Sequence, residues 1–91
     1  MKEKWILLAH KNFVNRVIPI NDNMFASCSN DYTVKLWKLG YKNPFKSIKF
    51  PSYIYSIALV SDEFGVQYLI ASLAYDDLTK GDLLSIKLDN L

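Results

Sequence analysis

The hydrophobic and polar residues of this chain alternate in short segments that polar turns separate. Met24 to Ser29 starts apolar, 30–32 is a polar turn, and 33–39 alternates with a period of two. A period of two is typical of a strand with one buried face. The same reasoning predicts strands over 5–9, 13–20, 45–50, 53–60, 66–74 and 82–88. No segment has a 3.6-residue period over the length of a helix, so the sequence predicts an all-β chain of about eight short strands.

The second half of the chain repeats the pattern of the first. Val14 and Val17 match Ile54 and Ile57 at an offset of 40, Phe25-Ala26-Ser27 matches Ile70-Ala71-Ser72 at 45, and 34–39 matches 83–88 at 49. The growing offset requires only longer loops in the second copy. A period of about 40–45 residues with four strands per copy is typical of a propeller array.

The segment Phe-Ala-Ser-Cys-Ser-Asn-Asp-Tyr-Thr-Val-Lys-Leu-Trp, residues 25–37, resembles the WD40 repeat pattern Leu-Ala-Ser-Gly-Ser-x-Asp-x-Thr-Val-Arg-Leu-Trp. Ala9-His10 stands where that family usually has Gly-His, and the second copy matches in outline only. The resemblance implies two four-stranded antiparallel propeller blades, the first over about 9–50 and the second, degenerate one over about 51–91. Residues 3–8 would then form the outer strand of a preceding blade.

His10, Ser27 and Asp31 are the residue types of a nucleophilic triad, but the chain has no Gly-x-Ser-x-Gly elbow. The WD40 resemblance implies a structural network instead. In it Asp31 accepts a hydrogen bond from His10, His10 meets Ser27, and Ser27 meets the indole N–H of Trp37. We therefore expect a structural tetrad of these four residues, no catalytic residue and no enzyme activity.

The resemblance also places a partner surface at one rim of the blades. Carried over by position, the candidates are Phe13, Asn15, Asn30, Tyr53, Tyr55 and Tyr75. Aromatic side chains at a rim are good anchors because they bury a large area at little entropic cost. The alternative is that these aromatics pack between blades. Lys38 follows Trp37 where the family often has Asp, which argues against docking of a ubiquitin-ligase adaptor by this repeat.

Composition and charge exclude several classes of function. Cys28 and His10 are the single cysteine and histidine of the 91 residues, too few for a zinc site or a disulfide, so we expect no metal and no cofactor. The net charge is +2 and the basic residues are dispersed as on solvated strand faces, so no nucleic acid is expected. The apolar runs are too short for a membrane span or a signal peptide. These features favour an intracellular protein, cytoplasmic or nuclear.

We therefore expect a non-enzymatic scaffold for protein–protein interactions, a subunit or fragment of a larger complex. Two blades cannot close a ring, because propellers have four to eight. The pair should belong to a longer propeller, self-associate or dock onto further blades. The alternative is a compact β-sandwich or barrel that binds without propeller architecture.

Overall fold

The strands of the computed structural model follow the predicted alternation closely. The structure describes residues 8–74 and 81–88. Its strands are β1 (Val14–Asn21), β2 (Met24–Ser29), β3 (Thr33–Lys38), β4 (Lys46–Lys49), β5 (Tyr53–Ser61), β6 (Gln67–Ala74) and β7 (Gly81–Lys87). They form two antiparallel sheets with the orders β1-β2-β3-β4 and β5-β6-β7. The prediction of an all-β fold is confirmed.

The first predicted strand, over 5–9, lies mostly outside the described residues. Its last two residues, Leu8 and Ala9, are in helical conformation, so the prediction of extended backbone is wrong at that end. The rest of the outer strand assigned to residues 3–8 falls outside the described part of the chain. The second sheet has three strands among the described residues, against the four predicted for each blade.

The first sheet has two chemically different faces because its residues alternate. In β2, Met24, Ala26 and Cys28 point to one face, which we call the core face. Ser27 lies on the opposite face, which we call the network face. Trp37 lies on the network face too, because it pairs with Phe25, two residues from Ser27. One hairpin therefore contributes to both faces.

The second sheet has a core face of its own and an outer face. Ile57 pairs with Ala71, and Ala71 pairs with Leu84, so these three side chains share the core face. Ser72 pairs with Leu83 on the outer face. Leu83 is 67% exposed there, whereas the neighbouring Leu84 packs against the core.

One hydrophobic core lies between the two core faces, with β5 packed against β1 and β2. Its buried members are Ile18, Ile20, Met24, Ala26, Cys28, Val34, Leu36, Phe50, Ile54, Ile57, Leu69, Ala71 and Leu73. Burying a side chain such as Leu36 or Ile54 stabilises the fold by about 1.5–3 kcal/mol relative to leaving it exposed. The core therefore holds both sheets as one unit.

The strand pairing corrects one of the offsets in the sequence repeat. The first strand of each sheet has a bulge, at residue 15 in β1 and at residue 55 in β5, so Val17 and Ile57 are equivalent at the predicted offset of 40. Val17 pairs with Ser27 and Ile57 with Ala71, so the counterpart of Ser27 is Ala71, at an offset of 44 and not 45. The third strands keep the predicted offset of 49, because Ser27 pairs with residue 35 and Ala71 with residue 84. The network face of the first sheet therefore corresponds to the core face of the second.

The network face and the outer face have exposed apolar side chains. Val17 is exposed on the network face, and Val60 and Leu83 are exposed on the outer face. The described strands remain in two separate sheets, so they form no closed barrel, and that part of the alternative prediction is wrong. Within the described ranges there is also no helix with the length and hydrophobicity needed to cross a bilayer.

Candidate functional site

Four polar and aromatic side chains meet on the network face of the first sheet. His10 precedes β1, Ser27 lies in β2, Asp31 lies in the β2–β3 turn and Trp37 lies in β3. Ser27 and Trp37 are both 0% exposed, and the indole of Trp37 stacks on Phe25 with ring centroids 5.7 Å apart. The structure thus brings together the four residues predicted to form a tetrad.

The hydrogen bonds of this network run in one direction. The Nδ1 of His10 lies 2.9 Å from the Asp31 carboxylate, which only accepts, so Nδ1 carries the proton. In the neutral ring Nε2 is then an acceptor, and the Ser27 hydroxyl donates to it at 2.7 Å. The same hydroxyl oxygen accepts from the Trp37 indole N–H at 3.0 Å. Every polar atom of this buried chain has a partner, and none of the buried side-chain polar atoms in the described residues lacks one.

Asp31 is the acceptor for several donors at once. The backbone N–H groups of Lys11 and Thr33 and the hydroxyl of Thr33 all donate to its carboxylate, in addition to His10. Burial by itself would raise the pKa of Asp31, but the hydrogen bonds from Thr33, His10 and Lys11 outweigh burial and lower it to about 2. The carboxylate is therefore ionised at neutral pH and ties the β2–β3 turn to the segment before β1.

The environment of His10 and Ser27 does not suit nucleophilic catalysis. Burial lowers the pKa of His10 below its ordinary 6.5, and this outweighs the raising effect of Asp31. The Ser27 oxygen is fully buried and already accepts a bond from Trp37, so it is not accessible to a substrate. A triad requires the serine oxygen to face the substrate beside an oxyanion hole.

Two of the predicted rim residues, Asn15 and Asn30, lie where the two sheets meet. Asn15 sits at a bulge near the start of β1, and its amide donates to Asn30 at 2.7 Å and to the Ile54 carbonyl at 2.8 Å. A second bulge falls between Ile54 and Ser56 in β5. Bulges redirect side chains and are frequent beside functional sites. Asn15 therefore ties both sheets at the rim through one side chain.

The aromatic candidates differ in exposure. Phe13 is 76% and Tyr55 64% exposed, so both are accessible to a partner. Tyr53 is half-buried, with its ring edge-on to Tyr32 at 5.4 Å between centroids. Tyr75 lies outside the described residues. The sequence therefore predicted the exposed rings of Phe13 and Tyr55 and the packed ring of Tyr53 as equal candidates. The structure distinguishes them by their exposure.

Tyr32 is a further rim residue, absent from the candidates predicted from the sequence. It occupies the turn position that often holds glycine in the WD40 pattern, and its φ of 75° is left-handed. Its N–H donates to Ser29 O at 3.3 Å, and its own carbonyl accepts from Phe50 at 2.7 Å. The signal that could have identified it is an aromatic residue at a position that favours glycine.

No cluster of three or more His, Cys, Asp or Glu side chains suited to a metal occurs in residues 8–74 and 81–88. Cys28 is buried in the core, and this burial raises the pKa of its thiol to about 11. The thiol is therefore protonated at neutral pH. Cys28 is a packing residue in this structure.

Fold and site together define an all-β chain of two antiparallel sheets with a His–Ser–Trp–Asp network on one face. Over 33 residues, 34% of this chain, it is 61% identical to the ribosome biogenesis protein YTM1 of Debaryomyces hansenii. That match spans 7% of the length of the relative. No protein-family model matches the chain. No solved structure matches it.

Proposed function

We propose that the chain is a non-enzymatic protein–protein interaction scaffold of the WD40 type and a subunit or fragment of a larger complex. The observation that carries this proposal is that each sheet is built from one continuous stretch of chain in sequential strand order, with exposed apolar residues on the face away from the shared core. Propeller blades are sheets of this kind arranged side by side. In Greek-key sandwiches the chain crosses between the sheets, so this order favours blades, with repeats over about 9–50 and 51–91.

The buried network supports the same proposal. His10, Ser27, Asp31 and Trp37 occupy the positions that the WD40 resemblance assigns to a structural tetrad, and their side chains are joined by three hydrogen bonds. In this proposal the tetrad fixes the β2–β3 turn against the strands. A fully satisfied buried network favours one packing arrangement over others.

The exposed apolar residues on these two faces point to a larger assembly. Val17 on the network face and Val60 on the outer face are exposed, and exposed apolar sheet surface favours association. The proposal is that further blades, from copies of this chain or from other chains, cover these faces. Light scattering should therefore report a particle larger than the 10.5 kDa chain.

A matched pair of variants separates face contacts from non-specific association. Leu83→Glu places a charge on the outer face and should reduce the mass, while Tyr55→Glu changes a similarly exposed rim residue and should not. A chain that is monomeric and melts cooperatively would contradict the assembly, and would favour the β-sandwich alternative.

The relative suggests a cellular setting. Since the matching segment belongs to a ribosome biogenesis protein, we propose that the chain acts inside the cell, in the cytoplasm or nucleus, among proteins that assemble ribosomes.

Phe13 and Tyr55 are the proposed anchors because their rings are exposed at the rim. A tagged chain should co-sediment with ribosomal precursor particles, and Phe13→Ser with Tyr55→Ser should release it. Tyr55→Phe keeps the ring and should retain binding; equal sedimentation of all variants would refute the rim assignment.

A further inference from the structure

The loop between β3 and β4, residues 39–45, forms a shallow groove with exposed apolar side chains. Three depressions of about 400, 350 and 210 Å³ share Asn43 in their linings, Tyr41 and Lys42 each line two of them, and they extend to Phe45 and Leu8. Tyr41 and Leu8 are 67% and 79% exposed. We call this surface the β3–β4 groove. Apolar side chains gathered around a depression favour a partner with an apolar anchor.

The charged side chains described around the β3–β4 groove are mostly positive. Lys38 and Lys42 line it, and Lys46 follows at the start of β4. No Asp or Glu occurs between Asp31 and Asp62 in the sequence. The β1–β2 turn brings Asp22 to the same edge, because Leu39 N–H donates to Asn23 O at 2.8 Å, and this leaves an excess of lysines. The partner that fits is acidic as well as apolar.

The chain itself carries such a segment in its β5–β6 loop. Glu63 is exposed, and Phe64 is 82% exposed. Asp62 holds the loop, since its carboxylate accepts from the N–H groups of Phe64 at 2.9 Å and Val66 at 3.0 Å. Gly65, at φ +81°, completes the turn and donates its N–H to the Asp62 carbonyl. The loop is thus ordered before any contact, which lowers the entropic cost of binding.

We propose that the β5–β6 loop of one copy of this chain binds the β3–β4 groove of a second copy. Phe64 packs beside Tyr41, and Glu63 lies among Lys38, Lys42 and Lys46. This inference rests on the self-association in the proposed function, because one aromatic side chain buries only about 150–250 Å², well below the roughly 1,200 Å² of a stable interface. The loop contact sets the orientation of copies that the sheet faces help to hold.

Single-stranded nucleic acid is the competing occupant of a lysine-rich groove with aromatic rings. Such sites stack successive bases on several ring faces. Here Lys38 Nζ lies 5.1 Å from the Phe45 ring centroid and occupies one of its faces. The exposed aliphatic side chain of Leu8 also favours a peptide anchor over bases. These observations favour the loop of a second copy.

A charge-swap cycle on the full chain tests the contact, with the association constant measured by sedimentation velocity. Lys42→Glu and Glu63→Lys should each weaken association by about five- to tenfold, since each replaces an attraction by a repulsion. Mixing the two variants, or combining both changes, should restore most of it. Lys11→Glu is the control, because it reverses an exposed lysine outside the groove. If the chain associates but none of the groove or loop changes affects it, the contact is wrong while self-association stands.

A second measurement is independent of self-association. A labelled peptide with the sequence of residues 60–67, cyclised to keep the turn, should bind the chain, and a peptide carrying the change Phe64→Ser should not. Tyr41→Ser in the protein should weaken this binding at least about fivefold, as expected for an aromatic anchor, with an unchanged melting temperature. Absence of peptide binding, or tighter binding of an oligouridylate than of the peptide, would overturn the inference. A chain that is monomeric yet binds the peptide would refute the proposed self-association and retain the groove as a peptide site.

Discussion

Replacing Ser27 by alanine should destabilise the protein far more than its small size suggests. The hydroxyl of Ser27 donates to His10 at 2.7 Å and accepts from Trp37 at 3.0 Å, so it occupies the centre of the network. Alanine removes one oxygen and leaves both partners in place. The Trp37 N–H and the His10 Nε2 then lose their buried partner.

The magnitude follows from the burial of those two partners. Trp37 is fully buried, and the side chain of His10 has no exposed surface. An orphaned buried polar group costs about 1–3 kcal/mol, so two of them predict a loss of about 2–5 kcal/mol, allowing for partial relaxation. This is a large share of the stability of a domain, which is typically about 5–15 kcal/mol.

Urea denaturation followed by tryptophan fluorescence measures this loss, since Trp37 lies within the perturbed network. The matched control is Ser47→Ala, which removes an exposed hydroxyl whose bond is to Lys35 at 2.9 Å. Exposed substitutions of this kind change stability by less than about 0.5 kcal/mol. Trp37→Phe keeps an aromatic ring and removes the same indole donor, so it should also destabilise the fold; its unfolding is followed by circular dichroism because the reporter indole is gone.

The result that would refute this reasoning is equal stability of Ser27→Ala and Ser47→Ala. It would mean that the buried network makes no net contribution to the free energy of unfolding. That happens when the polar groups left by the substitution find other hydrogen-bond partners. The tetrad would then be a consequence of the fold, and the WD40 interpretation would lose its main physical support.

Three further predictions concern the turn, the thiol and pH. Tyr32→Gly should be more stable than Tyr32→Ala by about 1 kcal/mol in thermal unfolding, because φ is 75° and only glycine adopts it without strain; the reverse order would refute the strain. Cys28, with its pKa raised to about 11 by burial, should react with a thiol reagent at pH 8 only after unfolding, and rapid labelling of the native chain would contradict this. The folded pKa of His10 lies below 6.5 and that of Asp31 is about 2 against 3.8, so in both cases the unfolded state binds more protons. Stability should therefore fall as pH drops below about 6.5 and more steeply between about 4 and 2; a pH-independent melting temperature across both windows would contradict it.

The sequence predicted the strands well because alternation reports burial directly. The bounds of β2 agree with the prediction, and those of the other six strands differ by at most one residue at each end. The orientation of the repeat was harder. Ser27 and Ser72 look equivalent in sequence, but Ser27 pairs with Val17 whereas Ala71, not Ser72, pairs with Ile57, so that match shifts by one residue. Apolar character alone cannot reveal such a shift, because both faces of these sheets carry apolar residues.

The candidate site was predictable only as far as the repeat pattern extended. The pattern contains His10, Ser27, Asp31 and Trp37, so their proximity could be expected. The groove and the acidic loop have no counterpart in that pattern. Lys42 and Phe64 are far apart in sequence, and the proposed contact between the groove and the loop requires both side chains to be exposed. Loop residues have no regular burial pattern from which that exposure could be predicted.

The two sheets differ in how strongly their sequence determines them. The β2–β3 hairpin is determined on both faces, by Leu36 and its core neighbours on one and by Ser27 and Trp37 on the other. The equivalent pairing in the second sheet puts Ala71 where the first sheet has Ser27, and Ile86 where it has Trp37. That face of the second hairpin therefore has neither a hydroxyl nor an indole to form a network, and it packs into the core instead. This asymmetry explains why the first copy carries a recognisable repeat pattern while the second keeps only its apolar alternation.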